Sequence, residues 1–187
     1  MVTKINILGI CGSASPNSAN LSLLKYLVDL GKAELIMEIL DNLTELPHFQ
    51  TTLTENNVPE KIISLRKKID KADGVIICSP EYVFSIPSGL KNVLEWCVST
   101  TVFSEKPVGL ITASASGIKG HEELKLIMET IQATCKEETS LLIQGIKGKV
   151  NSAGEITDQP TKNQLALFLG AFIHSIEGKR NIENKNF

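Results

Sequence analysis

Short, nearly continuous apolar runs alternate with amphipathic stretches of helical period along this chain, and that alternation is the strongest constraint on its fold. The runs Lys4–Ile10, Ala33–Leu40, Gly74–Cys78, Pro107–Thr112 and Ser140–Gln144 read as strands. Four are apolar enough to be buried on both faces, while Glu38 inside the second marks an edge strand. Between them, Val58, Ile62, Leu65 and Ile69 share one helical face, with Asn57 as cap and Pro59 in the first turn. Ile86, Leu90, Val93, Leu94 and Cys97 form a second stripe, opened by Pro87. Leu124, Ile127, Met128, Ile131 and Cys135 form a third, and Leu165, Leu169, Phe172 and Ile176 a fourth. The first helix spans Ser18 to Leu30, with Gly31 expected as its C-cap. Five β-α units of this kind predict a parallel sheet between two helical layers, joined by right-handed crossovers.

The 187 residues suit one domain, read as 1–177, followed by a polar tail at 178–187. The polar stretch Thr44–Asn57 exceeds an ordinary connection and is either a functional loop or an excursion. A net charge of -2 disfavours a nucleic-acid partner. No apolar run reaches the length of a membrane span, and the N-terminus lacks the pattern of an export leader, so a cytoplasmic protein is expected. Cys11, Cys78, Cys97 and Cys135 form no C-x-x-C pair and are read as structural. His48, His121 and His174 show no ligand spacing, so no metal site is expected.

The loop after the first strand, GSASPNSAN from Gly12 to Asn20, carries the most specific chemistry. It holds more hydroxyl and amide residues than capping one helix requires, and it leads straight into a helix N-terminus. Ser13, Ser15, Ser18 and Asn20, with the backbone N–H groups around Ala19 and the positive end of the helix dipole, make a candidate phosphate site. The triphosphate loop G-x-x-x-x-G-K-[ST] is absent, and Gly9 and Gly12 have the wrong spacing for G-x-G-x-x-G. No Lys or Arg lies between Lys4 and Lys25, so neutral donors suit a permanently bound monophosphate better than a magnesium triphosphate.

Two further loops leave the carboxyl edge of the expected sheet. Pro80, Glu81, Tyr82, Val83 and Phe84 follow the third strand, where they offer backbone donors and an aromatic wall. Ser114, Ala115, Ser116 and Gly117 follow the fourth, small enough to let backbone approach a ligand. A phosphate after strand one and a ring beside strand three is the switch-point geometry of a 2-1-3-4-5 sheet.

The segments GSASPNSAN, SPEYVFSIPSGLKNVLEW and KPVGLITASASG resemble the NADPH-dependent FMN reductase family, with azo-dye, quinone and chromate reductases among its members. The resemblance runs over about residues 3–176. Pro80, Glu81, Tyr82, Ser85, Ile86, Pro87, Leu90, Lys91, Asn92, Glu95 and Trp96 fit the family's P-E-Y-N-x-S-I-P-G-x-L-K-N-x-[IL]-[DE]-W. Gly12, Ser13, Ser18 and Asn20 fit its G-S-x-R-x-x-S-x-N. Ser15 stands where the family usually has Arg, Val83 replaces Asn, Ser88 replaces Gly, and Phe84 replaces a small residue. The resemblance implies a flavodoxin-like three-layer α/β sandwich that binds FMN. Its phosphate would lie at Ser13, Ser18 and Asn20, and its ring near Pro80 to Tyr82. It implies an enzyme that passes electrons from NADPH or NADH to a small acceptor such as a flavin, quinone, azo compound or metal oxyanion, and that forms homodimers or homotetramers. A helix from Pro87 to Ser99 with apolar Val93 and Trp96 beside its core stripe is the sequence's own reason to expect association. The flavin carries the chemistry, so no catalytic side chain is nominated; Tyr82 is read as a wall residue before a proton donor. The rival readings are a flavodoxin-like electron carrier and a flavin-free scaffold or regulator on the same fold.

Overall fold

The computed structural model describes residues 4–54 and 56–183. Its strands are β1 (Ile5–Cys11), β2 (Leu35–Leu40), β3 (Gly74–Ser79), β4 (Val108–Ser114) and β5 (Ser140–Gln144). Its helices are α1 (Ala19–Gly31), α2 (Glu60–Lys71), α3 (Ser88–Glu95), α4 (Ile118–Thr130) and α5 (Gln159–Glu183). The strands form one parallel sheet in the order β2-β1-β3-β4-β5, with the reversal of direction at β1 and β3. The expected three-layer architecture is the one observed.

Strand pleating explains how one apolar run feeds two cores. Ile5, Ile7 and Cys11 of β1 pack with α1 and α5, whereas Leu8 and Ile10 point to the layer of α2, α3 and α4. β3 divides in the same way, with Ile76 and Cys78 on the first side and Val75 and Ile77 on the second. Burial on both faces is why these strands lack polar alternation. Edge strand β2 buries Leu35 and leaves Glu38 outside, where it pairs with Lys68 at 2.5 Å.

Several local expectations are corrected. Gly31 ends inside α1, and the next residue, Lys32, keeps right-handed backbone, so no left-handed C-cap forms. Its lack of a side chain answers packing, since a Cβ there would stand 2.6 Å from Leu35 Cδ2. Pro59, not Asn57, holds the N-cap of α2, and Asn57 sits in the left-handed region at φ 59°. β4 begins after Pro107, which has no N–H to give the ladder, and runs two residues beyond Thr112. Val93 and Trp96 are fully buried, so they leave no spare apolar face for association. α5 continues past Gly178 to Glu183, with Arg180 pairing to Asp73 at 2.7 Å; residues 184–187 of the expected tail lie outside the described residues. Among the described residues, no helix is long and apolar enough to cross a membrane.

Candidate functional site

β1 delivers the chain to the carboxyl edge of the sheet at Cys11, and Gly12 N donates to Cys78 O (2.8 Å) to start the loop against β3. Ser18 caps α1: its Oγ accepts from Leu21 N at 3.1 Å and lies 3.7 Å from Cys11 Sγ. Asn20 is only 3% exposed and spends its amide inward, donating to Ala113 O (3.2 Å) and accepting from Cys78 Sγ (3.4 Å). These two side chains therefore tie α1 to β1, β3 and β4. Ser13 Oγ accepts from Ser15 N at 3.2 Å, which curls the loop. Among the described residues, the backbone N–H groups of Ser18, Ala19 and Asn20 have no intramolecular acceptor. With the hydroxyls of Ser13 and Ser15 they make a donor set that contains no carboxylate. Such a set fits a phosphate, which needs donors and a positive helix end rather than a cation.

The second loop is tighter than its sequence suggests. Tyr82 and Ser85 exchange backbone hydrogen bonds of 2.9 and 3.0 Å around a two-residue turn, Val83–Phe84, with φ values of 52° and 59°. Turns with positive φ at both central residues ordinarily take Asn-Gly. Here a β-branched and an aromatic residue occupy them and stand 94% and 77% exposed. Replacing the pair by Asn-Gly (V83N/F84G) should raise the unfolding free energy by about 1–2 kcal/mol, since left-handed backbone costs that much per ordinary residue. Urea denaturation of the two proteins measures it; no gain would mean that the turn is unstrained. Tyr82 Oη lies 3.4 Å from Ser13 Oγ, which brings the first two loops together.

Two carboxylates hold that turn in place. Glu81 accepts from Gly120 N at 2.8 Å and from Gly117 N at 3.4 Å, so it occupies the N-terminus of α4. Gly117 supplies the left-handed N-cap there, at φ 83°, and a Cβ on Gly120 would press on Glu81 at 3.2 Å. Glu123 of α4 returns the contact, accepting from Ser85 Oγ (2.5 Å) and Ile86 N (3.2 Å) with Lys91 Nζ at 3.5 Å. Burial acts to raise the pKa of Glu123, but the hydrogen bonds from Ser85 and Ile86 and the charge of Lys91 outweigh it and hold the carboxyl below its ordinary value. A depressed carboxylate stabilises the fold above the unfolded-state pKa and loses that contribution as pH falls through the folded one. In the third loop, Ser114 Oγ lies 3.5 Å from Glu81 O, and Ala115 O accepts from Gly145 N.

The first two loops border a cavity of about 850 Å³, large enough for a mononucleotide and part of a second ligand. Of the residues expected from sequence, Ser13, Ser15 and Tyr82 line it. Ser18, Ala19 and Asn20 sit behind the loop, and Pro80, Glu81, Val83, Phe84, Ser114, Ala115, Ser116 and Gly117 lie outside the lining. The wall that sequence reasoning missed is Asp41–Thr44 with Leu46, His48 and Phe49, facing Pro87–Gly89, Lys91, Asn92 and Glu95. The long polar stretch after β2 was the available signal. Asn92 and Trp96 pin it: Asn92 Oδ1 accepts from Phe49 N (2.7 Å), while Asn92 Nδ2 and Trp96 Nε1 donate to Pro47 O. Phe49 meets the Trp96 ring edge-on, with centroids 5.3 Å apart.

The remaining candidates are accounted for without chemistry. Burial raises the pKa of every cysteine, Cys97 to about 12 and Cys135 to about 11, so the thiols are poor nucleophiles. His121 joins Thr112 and Ser140 through its two ring nitrogens, at 2.8 and 2.9 Å. Among the described residues, no three His, Cys, Asp or Glu side chains gather as a metal site.

A doubly wound parallel sheet with a donor-lined loop at its switch point defines a nucleotide-binding α/β domain of the flavodoxin-like class. The chain belongs to the NADPH-dependent FMN reductase family, whose model matches residues 5–146. It is 29% identical over 180 residues to a quinone reductase of Escherichia coli K12, covering 92% of this chain and 95% of that protein. An NADPH:quinone oxidoreductase of Arabidopsis thaliana is 29% identical over 187 residues, covering 94% and 95% of the two chains. The solved structure of FerB, a flavoenzyme NAD(P)H:(acceptor) oxidoreductase from Paracoccus denitrificans, superimposes with a TM-score of 0.79 at 26% identity, covering 93% of this chain and 98% of that one. The protein is thus a flavin-dependent NAD(P)H oxidoreductase, and the carrier and scaffold readings fall away.

Proposed function

We propose that this oxidoreductase holds FMN at the β1–α1 loop and reduces small planar acceptors, quinones first among them, in the cavity beside it. The observation that carries the reading is the carboxylate-free donor set of the β1–α1 loop, in which Ser13 and Ser15 line that cavity and the open N–H groups of Ser18, Ala19 and Asn20 stand behind them. When bound, FMN supplies hydride acceptance and electron donation. The chain's own part is to bind, orient and shield. Ser13 and Ser15 offer hydroxyls to the phosphate, and the start of α1 adds its dipole. Tyr82 closes one side of the cavity. Glu81 and Glu123 brace the Pro80–Phe84 loop, whose backbone faces the ring in this reading. Ser114 and Gly117, both tied to Glu81, would hold the third loop for contact with the flavin. Leu43, Leu46 and Phe49 give an acceptor an apolar surface.

The relatives' names support quinones as the acceptor class. The protein reconstituted with FMN should oxidise a reduced nicotinamide cofactor with a quinone present; no turnover with any quinone would end the acceptor assignment. Ser15 stands where the family's first-loop pattern has Arg, so Ser15→Arg should tighten FMN binding by about tenfold or more, the value of a hydrogen bond to a charged group. A fluorescence titration reads it, and unchanged affinity would place the phosphate elsewhere. We further assign the protein to the cytoplasm, on its reductase class, and to a homo-oligomer. The support for association is the exposed pair Val83–Phe84 and Leu126 on α4, in place of the buried Val93 and Trp96.

A further inference from the structure

One buried side chain grips the backbone on both sides of His48. Asn92, 8% exposed, accepts from Phe49 N through Oδ1 at 2.7 Å and donates from Nδ2 to Pro47 O at 3.1 Å. Trp96 Nε1 gives Pro47 O a second donor at 2.8 Å, and the Phe49 ring stands edge-on to the indole. Residues 47 and 49 are thereby fixed to α3 and its C-terminal end, and His48 between them is fixed with them. Its side chain lines the same cavity as Ser13, Ser15 and Tyr82 and stays open to solvent. It is the one histidine in that lining, and among the described residues its imidazole has no intramolecular hydrogen bond or ion pair. The fold holds this imidazole in place without using it. The other titratable side chains of the lining differ: Asp41 and Glu95 are carboxylates, Lys91 Nζ lies 3.5 Å from Glu123 Oε1, and Tyr82 Oη lies 3.4 Å from Ser13 Oγ.

A quinone reduced in this cavity takes up two electrons and two protons. It gains both electrons and one proton as a hydride by way of the flavin, and its second carbonyl oxygen needs the other proton from elsewhere. Histidine changes charge in the neutral range, so it is the side chain best matched to give a proton and regain it. We propose that His48 donates this proton to the acceptor's carbonyl oxygen, and that Asn92 is the positioning residue that holds His48 for the transfer. The imidazolium N–H bond breaks as the O–H bond forms, the hydroquinone leaves, and the exposed imidazole recovers its proton from water. The inference rests on the quinone reading of the cavity.

The test mixes the full chain, loaded with FMN and reduced, with benzoquinone or with ferricyanide in a stopped-flow instrument. Ferricyanide accepts electrons without a proton. His48→Gln should slow quinone reduction at least about tenfold more than ferricyanide reduction, which is within what general acids contribute. Added imidazole should restore quinone reduction to His48→Ala. Asn92→Ala should lower the quinone-to-ferricyanide rate ratio by about fivefold or more when His48 is present, and change it little once His48→Gln is in place, as coupled residues do. A wall that is merely loosened would slow both acceptors alike. The His48 variants keep the test decisive if Asn92→Ala fails to fold, because an exposed side chain tolerates replacement. Equal losses with the two acceptors, or no rescue by imidazole, overturns the proton-donor assignment; an Asn92 effect that ignores His48 overturns the positioning role. A wild type that reduces ferricyanide but no quinone ends the quinone reading and this inference together. Quinone reduction that is indifferent to His48 ends the inference alone.

Discussion

Replacing Trp96 by alanine is expected to lower the unfolding free energy by about 3–5 kcal/mol, a drop in the thermal midpoint of about 10 °C for a domain of this size. Trp96 is fully buried in the core beneath α2, α3 and α4. Its indole N–H also anchors Pro47 O at 2.8 Å, and its ring supports Phe49. The alanine variant thus loses core volume and the strut beneath one wall of the cavity together. Trp96→Phe separates the two. It keeps most of the packing, and Pro47 O retains Asn92 Nδ2 as a donor at 3.1 Å, so the cost should fall to about 1–2 kcal/mol. Thermal unfolding measures both variants, and the KM for the acceptor should rise in the alanine variant as the wall loosens. Equal stabilities for alanine and phenylalanine variants would contradict this division.

The second large effect is expected at Gly12. A Cβ there would stand 2.5 Å from Ser79 Oγ, 2.8 Å from Ser79 Cβ and 3.0 Å from Leu90 Cδ2. Ser79 is held by β3 and by its own bond to Pro80 O, so the β1–α1 loop must yield instead. Gly12→Ala should cost about 1–3 kcal/mol of stability through overpacking. It should also weaken FMN binding by about tenfold or more, because a phosphate grip tolerates little displacement of its donors. Adding Ser79→Gly removes the obstructing atoms and should restore much of the affinity. Affinity that stays low in the double variant would show that the loop fails for another reason.

The sheet was legible because each β-α unit carries its own periodicity and each strand is buried on both faces. The β1–α1 loop was legible because its composition exceeds what a cap needs. The roles of individual side chains within it were less so. Ser18 and Asn20 read as phosphate contacts, yet their side chains face inward, since a helix cap and a buried amide use the same residue types as an anion site. The wall at Asp41–Phe49 was hidden because it is held by tertiary hydrogen bonds from Asn92 and Trp96, about 45 residues away in the chain. The Val83–Phe84 turn was unreadable for a related reason. Its neighbours Glu81 and Glu123 impose a backbone that the two residues themselves disfavour. Trp96 misled in the other direction: beside a full core stripe it reads as surface, but α2 and Pro47 bury it.

The account depends on a phosphate gripped by neutral donors between Ser13 and Asn20. Its most direct test compares the dissociation constants of FMN and riboflavin, which differ only by that phosphate. Two or more hydrogen bonds to a charged group make FMN at least about a hundredfold tighter. Equal affinities for the two flavins would contradict it.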